Sequence, residues 1–167
     1  MIDVAVGRPP AHSLLDSFLE GCDFHDSYEV ALDDPTETPS QLFARAIRAT
    51  PAWVDRAMAV RDRLVSLVGL KTVGAMGARR PPAGTPPRMG DAFGIFTVLA
   101  ANADELLLGI DDKHLDVRVS VTRRVDPNGA RAVVTTAVRN HNWLGRLYMI
   151  PVARIHPLVV KGMLRAL

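Results

Sequence analysis

At 167 residues, 48% of them hydrophobic, with a formal net charge of +2, the chain suits one domain with its own core and is not a disordered polyelectrolyte. The lone cysteine, Cys22, excludes an internal disulfide framework and a cysteine-rich zinc site. The start MIDVAVGRPPAHS lacks the basic region and unbroken apolar run of a secretory signal, and no window reaches the ~18–20 charge-free apolar residues of a membrane span. The expectation is a single cytoplasmic domain over residues 1–167.

The small net charge hides an asymmetry. Residues 1–40 carry nine acids against Arg8, and residues 113–167 carry ten bases against Asp116 and Asp126. Such ends either face each other across the fold or offer a basic half to nucleic acid or anionic lipid. No aromatic-interleaved basic run or recognition-helix pattern accompanies the charge, which argues for the intramolecular reading and against nucleic acid.

In chain order, residues 13–19 have a short helical pattern (Leu14, Leu15, Phe18, Leu19) that stops at Gly21. Tyr28, Val30 and Leu32 alternate in a first strand over residues 24–32, placed at an edge and ended by Asp33-Asp34-Pro35. Thr38-Pro39-Ser40-Gln41 reads as a capping box with proline at the first helical position, turning Leu42, Ala46 and Ile47 inward. Thr50-Pro51 repeats that start. Trp53, Ala57, Val60, Leu64, Leu67 and Val68 then recur at helical spacing up to Gly69. Residues 74–90 hold four prolines and four glycines, so they form a loop, either a connector or a lid over a pocket.

Four β segments follow. Phe93, Ile95, Thr97 and Leu99 alternate, and Ala101-Asn102-Ala103-Asp104 turns the chain. Leu106, Leu108 and Ile110 are even, whereas Leu115, Val117, Val119 and Val121 are odd. A strand cannot exchange faces without a bulge or a reversal, so Asp111-Asp112-Lys113-His114 is the bend of a hairpin. Asp126-Pro127-Asn128-Gly129 is a second reversal, leading into Ala132, Val134, Thr136 and Val138. The expected product is an antiparallel meander, wet on one face and buried on the other.

The last 25 residues supply the cover. Leu144, Tyr148, Ile155, Val159 and Met163 form one stripe flanked by Val152 and Leu158. Arg146, Arg154, Lys161 and Arg165 share an arc of about 100° elsewhere. Pro151 and Pro157 each remove a helical hydrogen bond, which predicts a kink or break. The fold class is α+β, an antiparallel sheet packed on a long C-terminal helix, with two connecting helices after the first strand.

Three constellations carry chemistry-bearing residues. Asp111, Asp112, His114 and Asp116 are dense enough for a metal or an acid–base pair, yet their position also fits hairpin chemistry on the solvent side. Arg139-Asn140-His141-Asn142 precedes the last helix; Asn142 suits an N-cap, and His141 is a candidate base. His156 lies alone on a largely apolar helix, where hydrogen-bonded structure is the plain reading. No nucleophile–base–acid set is visible, and Cys22 has no evident partner in sequence.

The stretches PAWVDRAMAVRDRLVSLVGLKT, ELLLGIDDKHLDVRVSV and TTAVRNHNWLGRLYMIPVARIHPLVV resemble the family called domain of unknown function 2867, over residues 25–165. The element order is similar to the helix-grip architecture of START-like and Bet v 1-like domains. That resemblance implies an apolar cavity between sheet and helix for a lipid, sterol, polyketide or aromatic, with no shared catalytic residues to carry over. Such domains also occur behind Rossmann-type oxidoreductase domains, but this chain has no Gly-x-Gly-x-x-Gly after a strand. The expected lining is Phe93, Ile95, Val117, Val119, Val134, Tyr148, Ile155 and Val159, binding an apolar small molecule without cofactor or metal. Two rivals stand beside it: an enzyme using Asp112, His114 and His141, or an accessory module meeting an oxidoreductase or an anionic partner.

Overall fold

The computed structural model describes residues 4–66, 86–165 and 167. Its elements are β1 (Ala5–Val6), α1 (Asp16–Leu19), β2 (Phe24–Leu32), α2 (Pro39–Arg48), α3 (Ala52–Ser66), β3 (Ala92–Phe93), β4 (Phe96–Ala101), β5 (Glu105–Asp111), β6 (Leu115–Asp126), β7 (Gly129–Asn140) and α4 (Trp143–Leu164). The strands form one antiparallel sheet in the order β1-β2-β7-β6-β5-β4-β3. The fold is α+β, as the sequence predicts.

The parity argument holds at the central hairpin. Leu106 pairs with Val121, Leu108 with Val119 and Ile110 with Val117, so even positions of β5 and odd positions of β6 share a face. Asp112 N donates to Leu115 O across the bend at 3.1 Å. At the next reversal Asp126 pairs with Gly129, whose φ of 122° lies in the left-handed region that glycine enters without a Cβ penalty.

Two helices divide the cover of this face. Thr38 caps α2 in a capping box with Gln41, and the helix buries Leu42, Phe43, Ala46 and Ile47 over β5 and β6. Phe43 meets Phe93 edge-on at 4.9 Å between ring centroids. The other helix, α4, lies over β2 and β7. Asn142 caps it, accepting from the N–H groups of Leu144 and Gly145 at 3.1 Å each.

Several expectations need correction. The segment 93–99 is no single strand: Phe93 pairs with Phe96 around a two-residue loop, Gly94-Ile95, made possible by φ of 65° at Gly94. Strand β2 is not an edge strand, since it pairs with β7 along its length and with the two-residue β1 outside it. Helix α4 runs through Pro151 and Pro157 unbroken. The proposed end of α3 at Leu67, Val68 and Gly69, and most of the 74–90 loop, lie outside the described residues.

The orientation of α4 is the largest correction. Gly145, Met149, Val160, Met163 and Leu164 are buried, and Ile155 and Leu158 are exposed. At about 100° per residue the buried arc is rotated roughly 90° from the predicted stripe, and His156 falls at its centre. Nor is the far face of the sheet wet. Residues 13–22 cross it, Leu15 is fully buried there, and Ser27, Ser120, Thr122, Thr135 and Ala137 beneath are closed to solvent. Small and hydroxyl side chains mask this burial in the sequence, because they satisfy each other: Ser27 Oγ and Thr135 Oγ1 are 2.9 Å apart.

Candidate functional site

The core face carries few polar groups, and they converge at one place. Asp26 is on β2 with Tyr28 and Val30 on the same face, and its register partner on β7 is Thr136. From the centre of the buried arc of α4, His156 sets Nδ1 2.8 Å from Asp26 Oδ2. Phe24, one position back on that face, meets the imidazole edge-on at 6.1 Å. The other carboxylate oxygen, Asp26 Oδ1, is buried without a hydrogen-bond partner among the described residues. Burial raises the pKa of the Tyr28 hydroxyl, and the neighbouring Asp26 carboxylate adds to the shift. Lys161 Nζ stands 5.4 Å from the centroid of the Tyr28 ring. A hydrogen-bonded carboxylate–imidazole pair bordered by aromatic and aliphatic side chains can orient a polar atom of a bound molecule, or pass a proton to it.

The predicted lining divides. Phe93 and Val119 belong to the closed core, with Val117, Val134 and Val159 partly buried against it. Tyr148 is half-buried. Ile155, 47% exposed, points away from the sheet because α4 is rotated, and Ile95 sits in the β3–β4 turn. On the core face Ile110, Leu115 and Val117, at the bend end of the central hairpin, remain partly accessible, as do Leu144, Tyr148 and Val152 of α4. Asp26 escaped the sequence reading although a signal existed. Extending the parity of Tyr28 and Val30 back by two places a carboxylate on the core face, where it requires a partner.

The chemistry-bearing residues of the hairpin end are brought together, but as supports. His114 Nδ1 lies 2.8 Å from Asn142 Nδ2, steadying the cap of α4. His114 is therefore half-buried rather than on the solvent side. His141 Nε2 lies 3.0 Å from Asp116 Oδ2, on the face away from α4. Asp112 instead receives Lys113 N at 2.6 Å, and Asp111 pairs with Arg118 at 2.6 Å. Cys22 Sγ is 3.8 Å from His25 Nδ1. Among the described residues no group of three or more His, Cys, Asp or Glu is placed to hold a metal ion.

A second polar locus lies under the N-terminal segment. Glu105, 5% exposed, accepts from Ser13 Oγ and Ser120 Oγ at 2.5 Å and from Leu14 N at 2.9 Å. It pins that segment to the sheet at the floor of a cleft of about 910 Å³. Through these bonds to Ser13, Leu14 and Ser120 it holds the segment down.

The family model described as "Protein of unknown function (DUF2867)" matches residues 18–163. No curated protein matches the chain.

Proposed function

We propose, from the premise that this chain belongs to the DUF2867 family, that it binds an apolar small molecule carrying one hydrogen-bond donor between the sheet and α4. The antiparallel sheet with its C-terminal helix fits a helix-grip-like arrangement, in which that seam is the natural receptacle. The observation that carries the reading is Asp26 Oδ1, a buried acceptor with no donor among the described residues, set beside His156 and Thr136 and bordered by Phe24, Tyr28 and valines. A buried acceptor left unsatisfied costs about 1–3 kcal/mol, more for a charged group, and a ligand hydroxyl or amine removes that penalty. The partly accessible Ile110, Leu115, Val117 and Tyr148 supply apolar contact. The reading treats the chain as one domain and requires no cofactor, metal or nucleic acid. It also requires no catalysis, since His114 and His141 are engaged at the hairpin end.

Native mass spectrometry of freshly purified protein, with melting shifts against fatty acids, sterols and aromatics, tests it. The expected result is a retained or stabilising apolar compound, and a preference for an alcohol over its parent hydrocarbon that Asp26→Leu abolishes. Absence of any co-purifying compound and of any melting shift, with an experimental structure that packs the seam solid, overturns the proposal.

A further inference from the structure

The outward face of α4 is more apolar than a solvated surface requires. Trp143 is 73% exposed and Leu158 65%, and Leu147 and Ile150 lie between them, each more than half exposed. With Trp143 at 0° and about 100° per residue, these four fall within an arc of about 80°, and at ~1.5 Å per residue the row is roughly 22 Å long. Scattered surface leucines are ordinary, but a continuous apolar row marks an interaction surface.

The charge around that row selects the occupant. Arg146, Arg154 and Arg165 are exposed beside or within it, and residues 127–167 contain no acidic side chain. A second copy packed helix to helix on this face would bring arginines against arginines with no carboxylate of α4 to separate them. An anionic partner is therefore favoured. The surface is one convex helical ridge, whose arginines can extend past their neighbours to reach phosphates while the apolar groups enter an acyl layer. By length and composition α4 is also apolar enough to cross a bilayer. Its anchorage on the sheet through Asp26 and His156 instead holds it parallel to a surface.

We infer that α4 docks the protein on an anionic phospholipid surface, Trp143, Leu147, Ile150 and Leu158 inserting and the three arginines meeting headgroup phosphates. This goes beyond the ligand reading and does not rest on it. The test is co-sedimentation of the full chain with phosphatidylcholine vesicles, with and without one third phosphatidylglycerol. Binding is expected only with the anionic lipid and is weakened by salt. Arg154→Ala should reduce it about fivefold, as for the loss of one surface cation. The double variant Leu147→Asp/Leu158→Asp should reduce it at least tenfold, with melting unchanged because both side chains are exposed. Absent binding, equal binding to neutral vesicles, or variants that bind as wild type each overturn the inference. So does a wild-type dimer that the double variant splits, which would assign the face to a second copy.

Discussion

Gly145 offers the sharpest test of how α4 is seated. A Cβ built there would lie 2.2 Å from the backbone oxygen of His114 and 3.1 Å from Asn140 Oδ1. Relief requires a displacement of about 1 Å, which the backbone at His114 does not yield easily. The His114 carbonyl accepts from His141 N at 2.9 Å, and Gly145 N is itself one of the two donors to the Asn142 cap. Overpacking of this kind costs about 1–3 kcal/mol, with a lost N-cap adding ~1, against a gain of about 1 kcal/mol in helix propensity for alanine over glycine. Gly145→Ala should therefore lose about 2 kcal/mol net and lower the melting temperature by roughly 4–8 °C for a domain of this size. Gly162→Ala, in the same helix, meets among the described residues Pro51 Cγ at 3.3 Å and Cδ at 3.9 Å, and with the propensity gain should keep or raise the melting temperature. The pair of variants, compared by calorimetry, separates close approach from propensity. A Gly145→Ala protein that melts at or above wild type would refute the seating of α4 on the hairpin.

Two further outcomes follow from the core. Val119→Asp places a carboxylate 7% exposed in the wild-type geometry opposite Leu108 and Thr136. It should unfold the domain, since several kcal/mol is of the order of total stability (~5–15 kcal/mol); a soluble variant with wild-type melting would reject the parity assignment. Tyr28 has its pKa raised above 10.0 by burial and by Asp26, so the fold keeps its proton longer than the unfolded chain does. Stability from this group is intact below pH 10 and falls as the pH rises from there through the folded-state value. Tyr28→Phe should flatten that alkaline limb in denaturant titrations, and an unchanged limb would remove Tyr28 as its source.

The sheet was legible because its signals are local. Even-to-odd parity across residues 106–121 demanded a reversal, and Asp126-Pro127-Asn128-Gly129 carries its own turn chemistry. The α2 and α4 starts were equally legible, since Thr38 and Asn142 satisfy helix N–H groups from within their own first turn. The buried far face was not. Ser27, Ser120, Thr122 and Thr135 look like solvent-facing residues until a covering segment lets them bond to one another and to Glu105. Nor was the Gly94-Ile95 reversal visible, because alternation of Phe93, Ile95, Thr97 and Leu99 reads as one strand whether or not a tight loop interrupts it. The candidate site suffered from the same limit. Asp26 and His156 are 130 positions apart, and each alone is unremarkable in sequence.

The rotation of α4 links these points. Turning Ile155 and Leu158 toward the sheet would gain about 1.5–3 kcal/mol for each if fully buried, but would bring Met149 and Val160, now buried, out in exchange. Specific contacts oppose that turn. The Asn142 cap contributes about 1 kcal/mol and the Asp26–His156 bond about 1.5–3 when charged, and the close approach at Gly145 admits one face of the helix only. One aliphatic set is exchanged for another of similar size, so polar and steric anchors decide which way the helix faces. They hold a histidine where an aliphatic residue would stabilise the core more, and leave the aliphatic residues outside. An arrangement that gives up apolar burial on both counts is the one expected if each face of α4 has something other than the core to meet, a ligand donor at Asp26 on the inside and a lipid surface at Trp143 and Leu158 on the outside.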